Sequence, residues 1–213
     1  MIFRRRFLHM AVAFATVLPA LTSPRSLSAD TGADAAGAFV KTMTQAAGKA
    51  LRGEDRAAKR AGFHDLVQDF FAYRTIAQWV LGRHWRRATK EQQDEFLSLF
   101  EEVVFQRYTR DVKEYATGQT FSIRRIDQRR ANDYIVYTEL KQNDASPPIE
   151  IGWRVGAATA ENGTRIFKIV DIMFSGLSMA LTQQKEFNAL LKNNGNSIDA
   201  LLAKMRSLSH DSE

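Results

Sequence analysis

Four histidines and one acid inside an apolar run are the side chains whose types and positions could do chemistry in this chain. His84 stands between Arg83 and Trp85, with no nucleophile and no metal-ligand spacing beside it. His64 follows Phe63 in a stretch of helical spacing and reads as a solvated or structural residue. His9 and His210 lie near the two ends of the sequence, His210 in a polar tail. Asp171 interrupts Ile169-Val170-Asp171-Ile172. Buried without a partner it would be costly or would hold its proton, so it is expected to face outward or to accept backbone hydrogen bonds at a strand end. No H-E-x-x-H, G-x-S-x-G, P-loop or dinucleotide glycine pattern occurs. The absence of cysteine removes disulfides, thiolate nucleophiles and thiolate metal sites together. No catalytic residue, metal site or cofactor is therefore assigned.

Basic residues cluster at Arg83, Arg86 and Arg87 and again at Arg124, Arg125, Arg129 and Arg130. Each cluster reads either as a docking face for a partner or an anionic head group, or as a solvated surface. Nucleic acid is disfavoured by the charge balance described below.

The elements that must position these residues follow from hydrophobic period. Phe39, Val40, Met43, Ala47 and Leu51 mark one face of a helix that Gly53 ends. The same spacing runs through Phe63, Leu66, Val67, Phe70 and Phe71 and onward through Ile76, Ala77, Val80 and Leu81 to Gly82. Thr89 with Gln92 is a capping box opening a long helix whose face holds Phe96, Leu99, Phe100, Val103, Val104, Tyr108, Val112 and Tyr115, closed by Gly118. From Phe121 the period is two: strands are expected at 121–126, 134–140, 149–155 and 165–174. Asn143-Asp144 with Pro147-Pro148, and Glu161-Asn162-Gly163, supply the turns. Helical spacing resumes at Leu181, Phe187, Leu190 and Leu191, stops at Asn194-Gly195, and restarts after Ser197. The class is α+β: N-terminal helices, a four-stranded curved antiparallel sheet, and C-terminal helices packed on one face.

Residues 1–29 have the three zones of an export signal: Arg4-Arg5-Arg6, an apolar stretch from Phe7 to Leu21, and small residues at Ser26, Ser28 and Ala29. Arg4-Arg5-Arg6-Phe7-Leu8 partly fits the twin-arginine pattern, with Phe3 where a hydroxyl residue is usual, so twin-arginine and general export both remain open. The segment holds four arginines and no acid, and its removal lowers the formal net charge from +6 to +2. Residues 30–213 then form a single domain of nearly balanced charge.

Two stretches resemble a known family. Val80-Leu81-Gly82-Arg83-His84-Trp85-Arg86-Arg87-Ala88-Thr89, with Gln92, Phe96, Phe100 and Tyr108 after it, is similar to the "LG-x-x-W-[KR]-x-[AS]-[ST]" signature of the MlaC or toluene-tolerance family, which includes the hopanoid-associated HpnM branch. Asp171 to Met179, continuing through Gln183, Phe187, Leu190, Leu191 and Gly195, resembles that family's "D-x-x-x-E-G-[IV]-S-[LM]" segment, with Ser175 in place of the usual Glu. The resemblance implies a monomeric periplasmic carrier, not an enzyme, that holds a phospholipid or hopanoid in an apolar cavity between sheet and helices. Its implied partners are an inner-membrane ABC transporter with an MCE-type subunit and an outer-membrane lipoprotein complex. It further implies a lipid-binding wall, expected here at Val80, Leu81, Trp85, Phe100, Val104, Tyr108, Val136, Ile151, Trp153, Ile169 and Phe174, with docking at Arg83, Arg86 and Arg87. The alternative is an envelope adaptor with a closed core that binds protein partners, and a hydrolase of envelope lipid stands third.

Overall fold

The computed structural model describes residues 31–50, 55–112, 120–141 and 147–210. The expected export signal, the stops at Gly53 and Gly118, Leu51, Tyr115 and the Asn143-Asp144 turn lie outside the described residues, as does the side chain of Tyr108.

Helix α1 (Thr31–Ala50) takes in the small residues ahead of Phe39 as well as the apolar face beyond it. The series expected to run unbroken to Gly82 is two helices, α2 (Arg56–Phe70) and α3 (Tyr73–Leu81). The break lies at Phe71-Ala72, where the chain turns extended. Phe71 makes an isolated parallel bridge with Ile169, and the Ala72 N–H donates to the Ile169 carbonyl at 2.9 Å. Lys168 donates its Nζ to the carbonyls of Gln68 and Asp69 at 2.9 and 2.6 Å, so a cation meets the orphan acceptors at the C-terminus of α2. Spacing could not show this break, because the residues on either side share one period and only the contact with a distant strand interrupts it.

Gly82 adopts φ 58° and ψ −131°, outside the range open to a side chain with a Cβ, and turns α3 into a 3-10 helix over Gly82–Arg87. The capping box then forms in both directions: Gln92 N–H donates to Thr89 Oγ1 at 3.2 Å and Thr89 N–H to Gln92 Oε1 at 3.0 Å, opening α4 (Lys90–Val112).

The strands are β1 (Thr120–Arg130), β2 (Asp133–Lys141), β3 (Ile149–Thr159), β4 (Arg165–Phe174) and β5 (Leu177–Ser178), in one antiparallel sheet of that order. The fifth strand was not expected. Phe174 pairs with Leu177 across Ser175 (φ 48°) and Gly176 (φ 77°), a two-residue hairpin with both central residues left-handed. A serine is an unusual first member of such a turn, which is why the sequence did not announce it. Helix α5 (Met179–Asn193) follows directly, capped by Ser178, whose Oγ accepts from Leu181 N–H at 3.0 Å. Asn194, Gly195 and Asn196 then lead to α6 (Ile198–His210).

The fold is α+β as expected, but its cover is not made by C-terminal helices alone. Helix α1 lies against β1 and β2, while α3 and α5 lie against β4 towards the other edge of the sheet. Two apolar cores result. In one, Ala36, Val40 and Met43 of α1 and Leu66 of α2 bury Tyr134, Val136, Val155 and Ile169 of the sheet. In the other, α3 to α6 pack on one another through Ala77, Val80, Leu81, Phe96, Phe100, Phe187, Leu191, Leu201, Leu202 and Met205. The aromatic centre of this second core is Phe96 stacked on Phe100 at 5.7 Å, with Phe187 edge-on to both.

Two expected outcomes follow from these contacts. Thr89→Ala removes one capping acceptor at the start of α4 and should destabilise by about 1 kcal/mol, read as a lower denaturant midpoint at unchanged slope. Asp133 accepts two hydrogen bonds at 2.9 Å from Arg154, and chiefly that bonding, with the guanidinium charge, holds its carboxyl below the usual range. A depressed folded value gives stability that is present above the unfolded carboxyl range and is lost as pH falls through the folded value. Asp133→Asn should therefore lower stability at neutral pH, where the pair is intact, and flatten the acid limb, the two curves converging at low pH where the wild-type carboxyl is protonated.

Candidate functional site

Between the two cores lies a cavity of about 550 Å³. Met43 and Ala47 of α1, Phe63, Leu66 and Val67 of α2, and Tyr73 and Ile76 of α3 form part of its wall. Phe100 and Val104 of α4 face them. The sheet contributes Leu140 from β2, Ile149, Ile151 and Trp153 from β3, and Ile172 and Phe174 from β4. These strand residues lie on one face, because the register pairs Leu140 with Ile149, Ile151 with Phe174 and Trp153 with Ile172. Met179 and Ala180 of α5 complete the apolar wall.

Five polar side chains also reach the cavity, and each already has a protein partner. Trp153 donates its indole N–H to Thr138 Oγ1 at 2.9 Å, and the fully buried Thr138 donates in turn to the Ile151 carbonyl at 3.2 Å. Tyr73 donates its hydroxyl to the Leu97 carbonyl while its ring stacks on Phe100 at 5.9 Å. Burial first, and then the charge of Glu101, push the Tyr73 hydroxyl well above the usual phenol range, so it stays protonated. Glu101 meets His64 Nδ1 at 2.6 Å. Asp171 Oδ1 accepts from Ile172 N–H at 2.9 Å and from Ala180 N–H at 3.1 Å, which ties the end of β4 to the start of α5. Gln183 Oε1 accepts from Arg107 at 3.4 Å, and its amide donates to Glu186 at 3.3 Å. With these groups partnered, the wall offers an occupant mainly carbon.

Of the wall expected from sequence, Phe100, Val104, Ile151, Trp153 and Phe174 stand at the cavity. Val80, Leu81, Trp85, Val136 and Ile169 do not meet there. Val80 and Leu81 are buried in the helical core, and Trp85 packs against that core with its ring edge-on to Phe96 at 6.4 Å. Val136 and Ile169 are fully buried beneath α1. They carry the same residue types and period as the cavity wall, so spacing could not separate them. Phe63, Val67, Tyr73, Ile76, Leu140, Ile149, Ile172 and Met179 were missed. For Phe63, Val67 and Ile76 the signal was present as an apolar helical stripe, but it reads equally as core. Arg83 lines a separate polar groove with Gly82, Gln184, Asn188 and Lys192, whereas Arg86 and Arg87 are exposed outside it.

His84 is only 2 % exposed. Burial, with the charges of Arg83 and Arg87, lowers its imidazole below the usual value. It does not line the cavity with Asp171, so the two residues weighed for catalysis are not brought together. Among the described residues no group of three or more His, Asp or Glu is arranged to hold a metal ion. No described helix is long and apolar enough to cross a membrane.

The model of the MlaC protein family matches residues 36–207, which takes in both cores and every wall residue named above. The chain belongs to the MlaC family. It is 27% identical over 130 residues to the intermembrane phospholipid transport system binding protein MlaC of Haemophilus influenzae, an alignment covering 60% of this chain and 57% of that protein. The match thus spans little more than half the length of that relative. In fold, it is similar to a phospholipid-binding protein from Ralstonia solanacearum solved in complex with a phospholipid. That likeness has a TM-score of 0.67 at 22% identity and covers 83% of this chain and 97% of the other. The two MlaC signatures seen in the sequence now have local causes: Gly82 makes the reversal after α3, Trp85 anchors it, and Asp171 and Ser178 join β4 to α5.

The Asp171 bonds give a direct test of a structural role for this acid. Asp171→Ala leaves two N–H groups without their acceptor and should cost about 1–3 kcal/mol, whereas Asp171→Asn, which keeps Oδ1, should cost less. Thermal or denaturant unfolding of the pair measures the difference.

Proposed function

We propose that this MlaC-family chain is a periplasmic, non-enzymatic carrier that holds the hydrocarbon of a phospholipid while the head group stays near water. One observation carries the reading: the two cores are separated by an apolar cavity of about 550 Å³ whose polar groups already have partners within the protein. Cavities of roughly 300–1,000 Å³ are the size that encloses small apolar ligands. Keeping a methylene out of water is worth about 0.8 kcal/mol, so an acyl chain of ~16 carbons represents on the order of 10 kcal/mol that an unaided lipid would lose on entering water. A dry wall supplies that free energy without recognising any particular atom.

The Haemophilus relative, named for intermembrane phospholipid transport, and the Ralstonia structure with its bound phospholipid support this choice of cargo. A partner pair of an inner-membrane ABC transporter with an MCE-type subunit and an outer-membrane lipoprotein complex belongs to the same proposal. So does a place between two membranes, which the signal-like residues 1–29 favour. An adaptor with a closed core is disfavoured by the cavity itself. The hydrolase reading is disfavoured by the separation of His84 from Asp171.

Protein purified from cells and extracted with organic solvent should release lipid at about one molecule per chain, with mass spectrometry separating phospholipid from hopanoid. Val104→Trp places an indole in the cavity and should sharply reduce the lipid recovered while far-UV circular dichroism is unchanged. Wild-type protein that is lipid-free, and that also takes nothing from phospholipid vesicles, would remove the proposal.

A further inference from the structure

Resting on the carrier reading, we infer that the outward face of α5, with Trp79 of α3 and Arg83 beside it, is a surface that docks on an anionic lipid bilayer.

Three large apolar side chains stand out in water here: Trp79 is 48% exposed, Leu181 40% and Leu177 69%. They belong to one region. Helices α3 and α5 pack together, and Gln184 donates its amide to the Trp79 carbonyl at 2.7 Å, setting the two residues side by side. Leu181 lies one turn before Gln184 on the same face of α5, and Leu177 stands on β5 just before that helix. Continuing along α5 from Leu181, the same face carries Gln184, Lys185, Asn188 and Lys192. Gln184, Asn188 and Lys192 border a polar groove with Arg83. The face therefore has an apolar end and a basic end.

Among the described residues no carboxylate is paired with those cations. Among the described residues Arg83, Lys185 and Lys192 form no ion pair, and the one acid on α5, Glu186, is taken by Arg107 at 3.1 Å. Exposed tryptophan and leucine next to unpaired lysine and arginine is the composition that lies in the head-group region of an anionic membrane: the indole sits at the interface and each cation gains about 1 kcal/mol near the surface. A protein partner would equally accept the apolar residues, but three cations without an ion-pair partner, with the one acid between Lys185 and Lys192, Glu186, already held by Arg107, favour a continuous sheet of negative charge. The position is also apt. Ile76, one turn before Trp79, and Ala180, next to Leu181, both line the cavity, so docking by this face would set the bilayer against the same two helices that wall it.

The test is flotation of the protein, as purified from cells, with vesicles of phosphatidylethanolamine and phosphatidylglycerol, against vesicles of phosphatidylcholine. The anionic vesicles should carry the protein up, and added salt should release it. Trp79→Ala with Leu181→Ala, both exposed, should weaken binding about tenfold, and Lys185→Glu with Lys192→Glu at least as much. Leu208→Ala, an exposed apolar residue on α6, should change nothing. Wild type that ignores anionic vesicles, or double variants that bind like wild type, would overturn the inference. Variants that impair lipid transport in cells although wild type ignores vesicles would assign the surface to a protein instead, and so would also overturn it. Co-purified lipid is measured on every sample: its absence from wild type counts against the carrier reading, whereas its presence with no vesicle binding counts against this surface alone.

Discussion

The pinning of Phe71-Ala72 to the edge of β4 is the contact on which the rest of this molecule depends. A single hydrogen bond from Ala72 to Ile169, the bridge at Phe71 and the Lys168 cation on the last carbonyls of α2 stop one helix and start another. A net hydrogen bond is worth only about 1 kcal/mol, so the importance of the pin is geometric rather than energetic. On one side of it, Leu66 goes to the sheet core. On the other, Ala77, Val80 and Leu81 go to the helical core. Had the helix run on straight, one apolar stripe would have served a single core.

The cavity is what remains between two cores whose central side chains are almost wholly buried. Protein interiors are as dense as organic crystals, and a void of this size in a continuous core would be strongly destabilising. Here the density is kept within each core, and the space falls along the seam where they meet. Residues of both cores border it: Met43 and Leu66 from one, Phe100 from the other. The polar atoms nearby are bonded away from the space or along its rim, with Trp153 to Thr138 and Tyr73 to Leu97 as the clearest cases. Geometry and satisfied hydrogen bonds together make the space suit hydrocarbon without making it chemically selective.

Much of this architecture could be read from the sequence. Period alone placed the long α4, both closing helices and four strands, and the Thr89-Gln92 box formed as written. What escaped was decided by partners far along the chain. The α2–α3 break depends on Ile169, nearly a hundred residues away, and β5 depends on Ser175 accepting a left-handed φ that its residue type rarely takes. The candidate site was half legible for a related reason. Ile151 and Val155 share a strand, a face and a branched side chain, yet one borders open space and the other is wholly buried beneath α1. Neither residue type nor alternation encodes how far the opposing helix stands from the sheet. For Asp171 the sequence left two inexpensive fates, an outward position or acceptance of backbone hydrogen bonds at a strand end, and the structure takes the second.

The seam also bears on motion. Widening a hole inside one core means breaking close-packed contacts on every side at once, which approaches the free energy of global unfolding. Widening a gap between two cores disturbs only what spans it, chiefly, between α2 and α4, the Phe63–Phe105 ring contact, the partly exposed Arg60–Glu102 ion pair and the His64–Glu101 hydrogen bond. An exposed ion pair of that kind holds by about 1 kcal/mol or less. The division of the interior thus sets up a hierarchy of opening, in which α2 can swing from α4 at small expense while both cores keep their native packing. Amide hydrogens of α2 would then exchange by a cheaper route than those of α6, whose Leu201, Leu202 and Met205 lie wholly within one core.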